Sequence, residues 1–190
     1  AGHFIRQASG MIQSQGSFML EQAYDRVVDF AMLFDCEDSG CCFRGYSLFS
    51  TTATGQYSGN LLLSDTEIES RLARYISVAQ LNAVGRVLEA ALRQVCGEVY
   101  RGPIGVDMLV ADTPRGYLLD ATVEINFRMT MGRVARVLSD RFVAPGLEAT
   151  FYVRPGAAPA DSAVVENHRF VGGVLPLSPP GSRFAFVVQS

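Results

Sequence analysis

Hydrophobic and polar positions change period several times along this chain, and the changes mark its elements. Residues 3–15 carry apolar side chains at helical spacing, which predicts a short helix interrupted near Gly10 and ended at Gly16. Residues 17–20 predict a short strand leading into Glu21. Residues 27–34 and 42–49 are β-rich runs separated by Cys36-Glu-Asp-Ser-Gly40, a turn composition, and so predict a hairpin. The polar, glycine-rich residues 51–60 predict a loop. Ser64-Asp-Thr-Glu67 is a capping box that opens a helix to about Ile76, and Ser77-Val-Ala-Gln80 is a second one. After it Leu81, Val84, Leu88, Leu92 and Val95 recur at helical spacing as far as Gly97.

Two further β-rich runs lie either side of a turn at residues 112–116. A helix over 131–142 follows, stopped by Pro145-Gly146, then a strand over 147–153 and a Pro/Gly/Ala loop over 155–163. Residues 170–177 and 184–188 close the chain as strands. With no internal repeat or linker, the order predicts one α+β domain over residues 1–190 with a largely antiparallel sheet.

Candidate chemistry sits in the two runs around that turn. They read Gly102-Pro-Ile-Gly-Val-Asp-Met-Leu-Val110 and Val123-Glu-Ile-Asn-Phe-Arg128. Residues two apart on a strand share a face, so Glu124, Asn126 and Arg128 project together. Asp107 joins them if it pairs opposite an even-numbered residue, because opposed residues share a face. Two carboxylates and an amide oxygen are hard ligands of the kind Mg²⁺ uses beside substrate phosphates, and a guanidinium suits a phosphoryl oxygen. A solvated edge hairpin would also carry polar residues, but here they interrupt apolar strands on both sides of one turn. The pattern points to metal–nucleotide chemistry.

Composition narrows the setting. A net charge of −3 and a pI near 5.4 predict no electrostatic attraction to nucleic acid or to anionic lipid. No apolar run reaches membrane-spanning length and no basic-then-apolar signal opens the chain, so the expectation is a cytoplasmic protein. Cys36, Cys41, Cys42 and Cys96 lack the paired spacing of a zinc site and are expected as reduced thiols, mainly filling core, with a redox role for Cys41 and Cys42 as the alternative. All 16 basic residues are arginine, which removes the commonest point-charge partner of nucleotide phosphates.

Gly-Val-Asp107 followed by Glu124-Ile-Asn126-Phe-Arg128 resembles the C-terminal half of the ATP-grasp fold, as in carboxylate–amine ligases and carbamoyl-phosphate synthetases. The resemblance covers roughly residues 15–153. It implies Mg²⁺ or Mn²⁺ ligands at Asp107, Glu124 and Asn126, with Arg128 contacting the transferred phosphoryl group. Phe127 stands where the family usually has proline. Phe18, Met19, Leu20 and Glu21 are similar to the family's hinge, whose backbone groups bind adenine. Asp29 stands at a ribose-contacting position, and residues 55–60 resemble a glycine-rich loop in which Tyr57 takes the place of a phosphate-facing histidine. Arg133 and Arg136 read as solvated helix residues with an anionic substrate as the alternative, and His3 and His168 as surface or satisfied core residues.

The implied parent reaction is ATP-dependent activation of a small-molecule carboxylate to an acyl phosphate. The family's N-terminal substrate domain and its lysine-bearing lid are absent from these residues, so the chain reads as one half of a site, inactive alone. The alternatives are a non-catalytic ATP-grasp-like binding or assembly module, and a phosphotransferase on the same scaffold. A homodimer is compatible with the sequence.

Overall fold

The computed structural model describes residues 2–52, 56–97 and 99–190. An N-terminal helix, α1 (Gly2–Gln15), precedes the hairpin of β1 (Asp25–Glu37) and β2 (Gly40–Thr51), and β3 (Tyr57–Leu62) follows. Two helices, α2 (Asp65–Leu72) and α3 (Val78–Cys96), lead to a second hairpin of β4 (Gly102–Thr113) and β5 (Gly116–Asn126). Then come α4 (Met131–Phe142), β6 (Ala149–Pro155), β7 (Val164–Glu166), β8 (Arg169–Gly172), β9 (Val174–Pro176) and β10 (Phe184–Gln189).

The main sheet has the order β5-β4-β1-β2-β3-β6-β10-β9, and β7 and β8 form a separate ribbon. Every neighbouring pair is antiparallel. The fold class is therefore the α+β arrangement expected from the order of elements.

Strand alternation divides the sheet into two faces. On one, Phe30, Met32 and Phe34 of β1 join Ile104, Val106 and Met108 of β4 beneath Ile68 and Leu72 of α2 and Leu81, Leu88 and Leu92 of α3. Both capping boxes form: Ser64 accepts from the Glu67 amide, and Ser77 from the Gln80 amide. The other face carries Asp29, Ala31 and Ser47 and is crossed by α4, whose Ala135 packs with Leu62, Ala149 and Phe151. β1 and β2 slip register at a bulge where Leu33 faces Gly45 and Phe34 faces Phe43. Gly45 takes φ 111° there, a conformation that a side chain would strain.

Several expectations are corrected. Phe18, Met19, Leu20 and Glu21 form no strand: the residues between α1 and β1 have no regular structure, with Met19 and Leu20 85% and 75% exposed. Their β-propensity has no neighbouring strand to pair with. Helix α1 runs through Gly10 unbroken, and α2 stops at Leu72. Tyr57 through Asn60 belong to β3, not to a loop, because β2 and β6 bracket them on both sides. Gly55 of that expected loop and the side chain of His3 lie outside the described residues. Exposed His168 sits with Asn167 at the positive-φ turn between β7 and β8, a ribbon not expected from the sequence. Val95 is exposed, and Cys96 takes its expected place in the core.

The thiols are also not all reduced. Cys36 and Cys41 are bonded across the first hairpin, where β1 and β2 place them directly opposite each other. Cys42, one residue on, faces the other way and is exposed.

Candidate functional site

The register of the second hairpin assembles the carboxylates. Asp107 lies opposite Glu124 and Gly105 opposite Asn126, which puts all three polar side chains on the face that α4 crosses. A slip between Asp107 and Leu109 follows immediately, so residues 121–123 bulge from β5. Asn126 is buried, and its amide bridges the site: Nδ2 donates to Asp107 Oδ2 at 3.1 Å while Oδ1 accepts from Arg128 Nη2 at 2.8 Å. The four side chains line one cleft of about 240 Å³.

The other wall comes from the N-terminus of α4. Thr130 caps the helix by accepting from the Arg133 amide, and Thr130, Met131 and Gly132 line the cleft opposite the carboxylates. Close approach here requires glycine, because a Cβ on Gly132 would overlap Ser47 Oγ. Ser47 accepts from Asn60 Nδ2 at 2.6 Å, and Asn60 Oδ1 accepts from the Tyr57 hydroxyl at 2.6 Å. Burial pushes the Tyr57 hydroxyl far up, so it stays a neutral donor. Tyr57 thus reaches the cleft from a strand, with its hydroxyl occupied by Asn60. Ser47, Asn60 and Thr130 were not singled out in the sequence, whereas the Gly132-containing helix was part of the pattern. Single polar residues give no signal until the sheet and α4 are brought together.

Asp29 lies inside β1, opposite Leu109 and Phe49, on the same face as Asp107. It accepts from Thr51 Oγ1 at 2.9 Å and from Arg26 Nη1 at 3.3 Å. Arg133 and Arg136 are not solvated. Arg133 pairs with Asp35 at 2.7 Å, and Arg136 pairs with Asp65 at 2.8 Å and with Asp140, so both clamp α4 to the rest of the fold. Of the expected site residues, Asp107, Glu124, Asn126, Arg128 and Tyr57 share one cleft. Asp29 stands beside it, and Phe18, Met19, Leu20 and Glu21 are not among its lining.

The electrostatics are those of a site with excess negative charge. Burial and then the Glu124 carboxylate push Asp107 up to about 6, with Asp29 adding to the rise. The Asn126 hydrogen bond and Arg128 oppose it. The folded chain therefore holds the Asp107 proton more tightly than the unfolded chain does. Between about pH 4 and about pH 6 its stability falls as pH rises, and above that window the destabilisation is fully present. Asp107→Asn should accordingly stabilise the cation-free protein at about pH 7.5, by ~1 kcal/mol once solvent screening is allowed for, with the gain vanishing near pH 4. Urea unfolding of variant and parent at both pH values measures it; an equal difference at the two pH values would remove the repulsion argument.

The same features describe a fit for a divalent cation. Two opposed carboxylates and an amide oxygen form a hard oxygen donor set, and the raised Asp107 reflects burial and the facing Glu124 carboxylate, both of which a cation would offset.

No protein-family profile matches the chain, and neither does any curated protein. Among solved structures, the chain is similar to a crystal structure from Archaeoglobus fulgidus of a protein provisionally assigned to the ATP-grasp superfamily. The two share 14% identity with a TM-score of 0.48, over 89% of this chain and 48% of the other. The chain thus spans about half the length of that protein. No helix among the described residues is long and apolar enough to cross a membrane.

Proposed function

We propose that these residues form the metal- and nucleotide-binding half of an ATP-grasp enzyme that activates a small-molecule carboxylate through an acyl phosphate. The observation that carries this reading is the register that sets Asp107 opposite Glu124, with Asn126 and Arg128 beside them, facing the N-terminus of α4. The motif's resemblance to the ATP-grasp metal strands supplies the chemistry.

Asp107, Glu124 and the Asn126 amide oxygen would hold Mg²⁺ or Mn²⁺. Held by these residues, such an ion would supply positive charge that offsets the negative charge of the nucleotide phosphates. Arg128, now bonded to Asn126, would turn a guanidinium N–H to a phosphoryl oxygen. The α4 N-terminus favours the same anion through its aligned peptide dipoles. Asn126 orients both Asp107 and Arg128, so one amide sets the geometry of donor and acceptor alike. Phosphoryl transfer of this kind rests on positioning and charge stabilisation, so no protein nucleophile is required of this half. Adenine would lie toward Asp29 and Thr51, whose neighbouring cleft of about 670 Å³ adjoins the carboxylate cleft through Phe49 and Thr51.

A second reading, a non-catalytic module of the same fold, draws on the absence of lysine from all 190 residues. Calorimetric titration of ATP into the chain with and without Mg²⁺, beside an ADP-release assay with carboxylate and amine mixtures, tests both. The half-site reading expects weak, Mg²⁺-dependent binding without turnover. Each missing charge-assisted phosphate bond costs roughly 1.5–3 kcal/mol, and several lower affinity by orders of magnitude. Tight binding or steady ADP production would overturn the half-site reading. Binding indifferent to Mg²⁺ would overturn the metal assignment.

A further inference from the structure

On the face of the sheet opposite the carboxylate cleft, three cysteines converge. Cys36 of β1 is bonded to Cys41 of β2, with their Cα atoms 4.0 Å apart. Cys96, the last residue of α3, brings its sulfur to 3.5 Å from that of Cys36. All three sulfurs lie within 4.8 Å of one another, and each residue is 2% exposed. The proposed ATP chemistry uses none of them. Cys42, though adjacent in sequence, points away and is free.

The contact between Cys36 and Cys96 sets a free thiol in van der Waals contact with one sulfur of a disulfide, the proximity from which thiol–disulfide exchange can start once the Cys96 side chain rotates into line with the Cys36–Cys41 bond. Cys36 also lines a surface cleft of about 720 Å³ together with Asp38, Ser39 and Arg101, so its side of the triad adjoins solvent. Arg101 is paired with Asp38 at 2.7 Å across this cleft.

We propose that Cys36, Cys41 and Cys96 form a thiol–disulfide exchange site in which Cys36 is the shared sulfur and Cys41 and Cys96 are its alternative partners. The site is loaded by a low-molecular-weight disulfide of the glutathione class. In loading, two thiols of the triad give up two electrons and two protons, and the small disulfide leaves as two thiols. In exchange, Cys96 loses its proton and its sulfur lone pair forms a bond to Cys36 Sγ. The Cys36–Cys41 bond breaks with its electron pair on Cys41 Sγ, which takes up a proton. No net oxidation accompanies this second step. One form ties β1 to β2 within the hairpin, and the other ties β1 to the end of α3. Three converging thiolates would also suit a soft cation, but the bond between Cys36 and Cys41 favours exchange.

Peptide mapping tests this on the full chain carrying Cys42→Ser. Trypsin leaves Cys36 and Cys41 together in peptide 27–44 and Cys96 in peptide 94–101. The protein is equilibrated in a glutathione redox buffer, blocked with N-ethylmaleimide in mild acid and digested without reductant. Exchange expects both an internally bonded peptide 27–44 and a cross-link between the two peptides. Cys41→Ser should enrich the cross-link at least tenfold and Cys36→Ser should abolish both species, with circular dichroism confirming that each variant is folded. The internal bond alone, with no cross-link at any buffer ratio, overturns the proposal, and the parent by itself decides this if a variant fails to fold. One metal ion retained by the reduced chain in native mass spectrometry, with no disulfide formed in the redox buffer, overturns it in favour of a cation site.

Discussion

Removing both carboxylates from the cleft, as Asp107→Asn with Glu124→Gln, is expected to weaken Mn²⁺ binding roughly 10–100-fold, or by about 1.4–2.7 kcal/mol. Asp107 and Glu124 stand directly opposite each other, and Asn126 alone offers no charge to a dication. Titration of free Mn²⁺ by electron paramagnetic resonance, with and without ATP, reads the change. Arg128→Gln provides the contrast. It removes a positive charge beside the same cleft, so it should leave Mn²⁺ affinity unchanged or improved while weakening the ATP complex. Mn²⁺ affinity that survives the double substitution in a folded protein would place the cation elsewhere. The double variant should also be at least as stable as the parent without metal, since it removes both the buried charge and the carboxylate repulsion that raise Asp107.

Phe30→Ala should be among the most damaging core substitutions, at about 3–5 kcal/mol. Phe30 is fully buried, and its neighbours across the sheet, Leu48 and Met108, are buried too. A cavity there lies in the cluster under α3, and the helix cannot collapse into it without pulling Leu81 and Leu88 from their own contacts. Against a net stability of about 5–15 kcal/mol for a domain of this kind, the loss is a large fraction. Val95→Ala on the same helix face of the sequence pattern should cost within about 0.5 kcal/mol, because Val95 is 64% exposed. Urea unfolding of the two variants side by side checks the pair. A comparable loss at Val95 would mean that α3 is rotated from the orientation described.

What the sequence determined by itself was local. The two capping boxes close between residues three apart, and the structure forms both, because their partners are brought together by the helix they start. Helix α4 has the bounds read from the sequence ahead of the Pro145-Gly146 stop. The hairpins and the α+β class followed from alternation and turn chemistry. That Glu124 and Asn126 share a face follows from strand period alone.

Only tertiary structure decided the rest. Whether Asp107 joins that face depends on pairing parity across a hairpin with a bulge beside the site, and one residue of slip would have inverted it. Strand propensity at Phe18–Glu21 came to nothing for want of a partner strand, while the polar stretch at Tyr57–Asn60 became a strand because β2 and β6 supply its hydrogen bonds on both sides. Arg133 and Arg136 turned from solvated residues into clamps because Asp35 and Asp65, distant in sequence, arrive beneath α4. Cys96 met Cys36 across 60 residues of chain. Such contacts depend on how elements stack and register, and those are set by the whole buried core, which no local window of sequence contains.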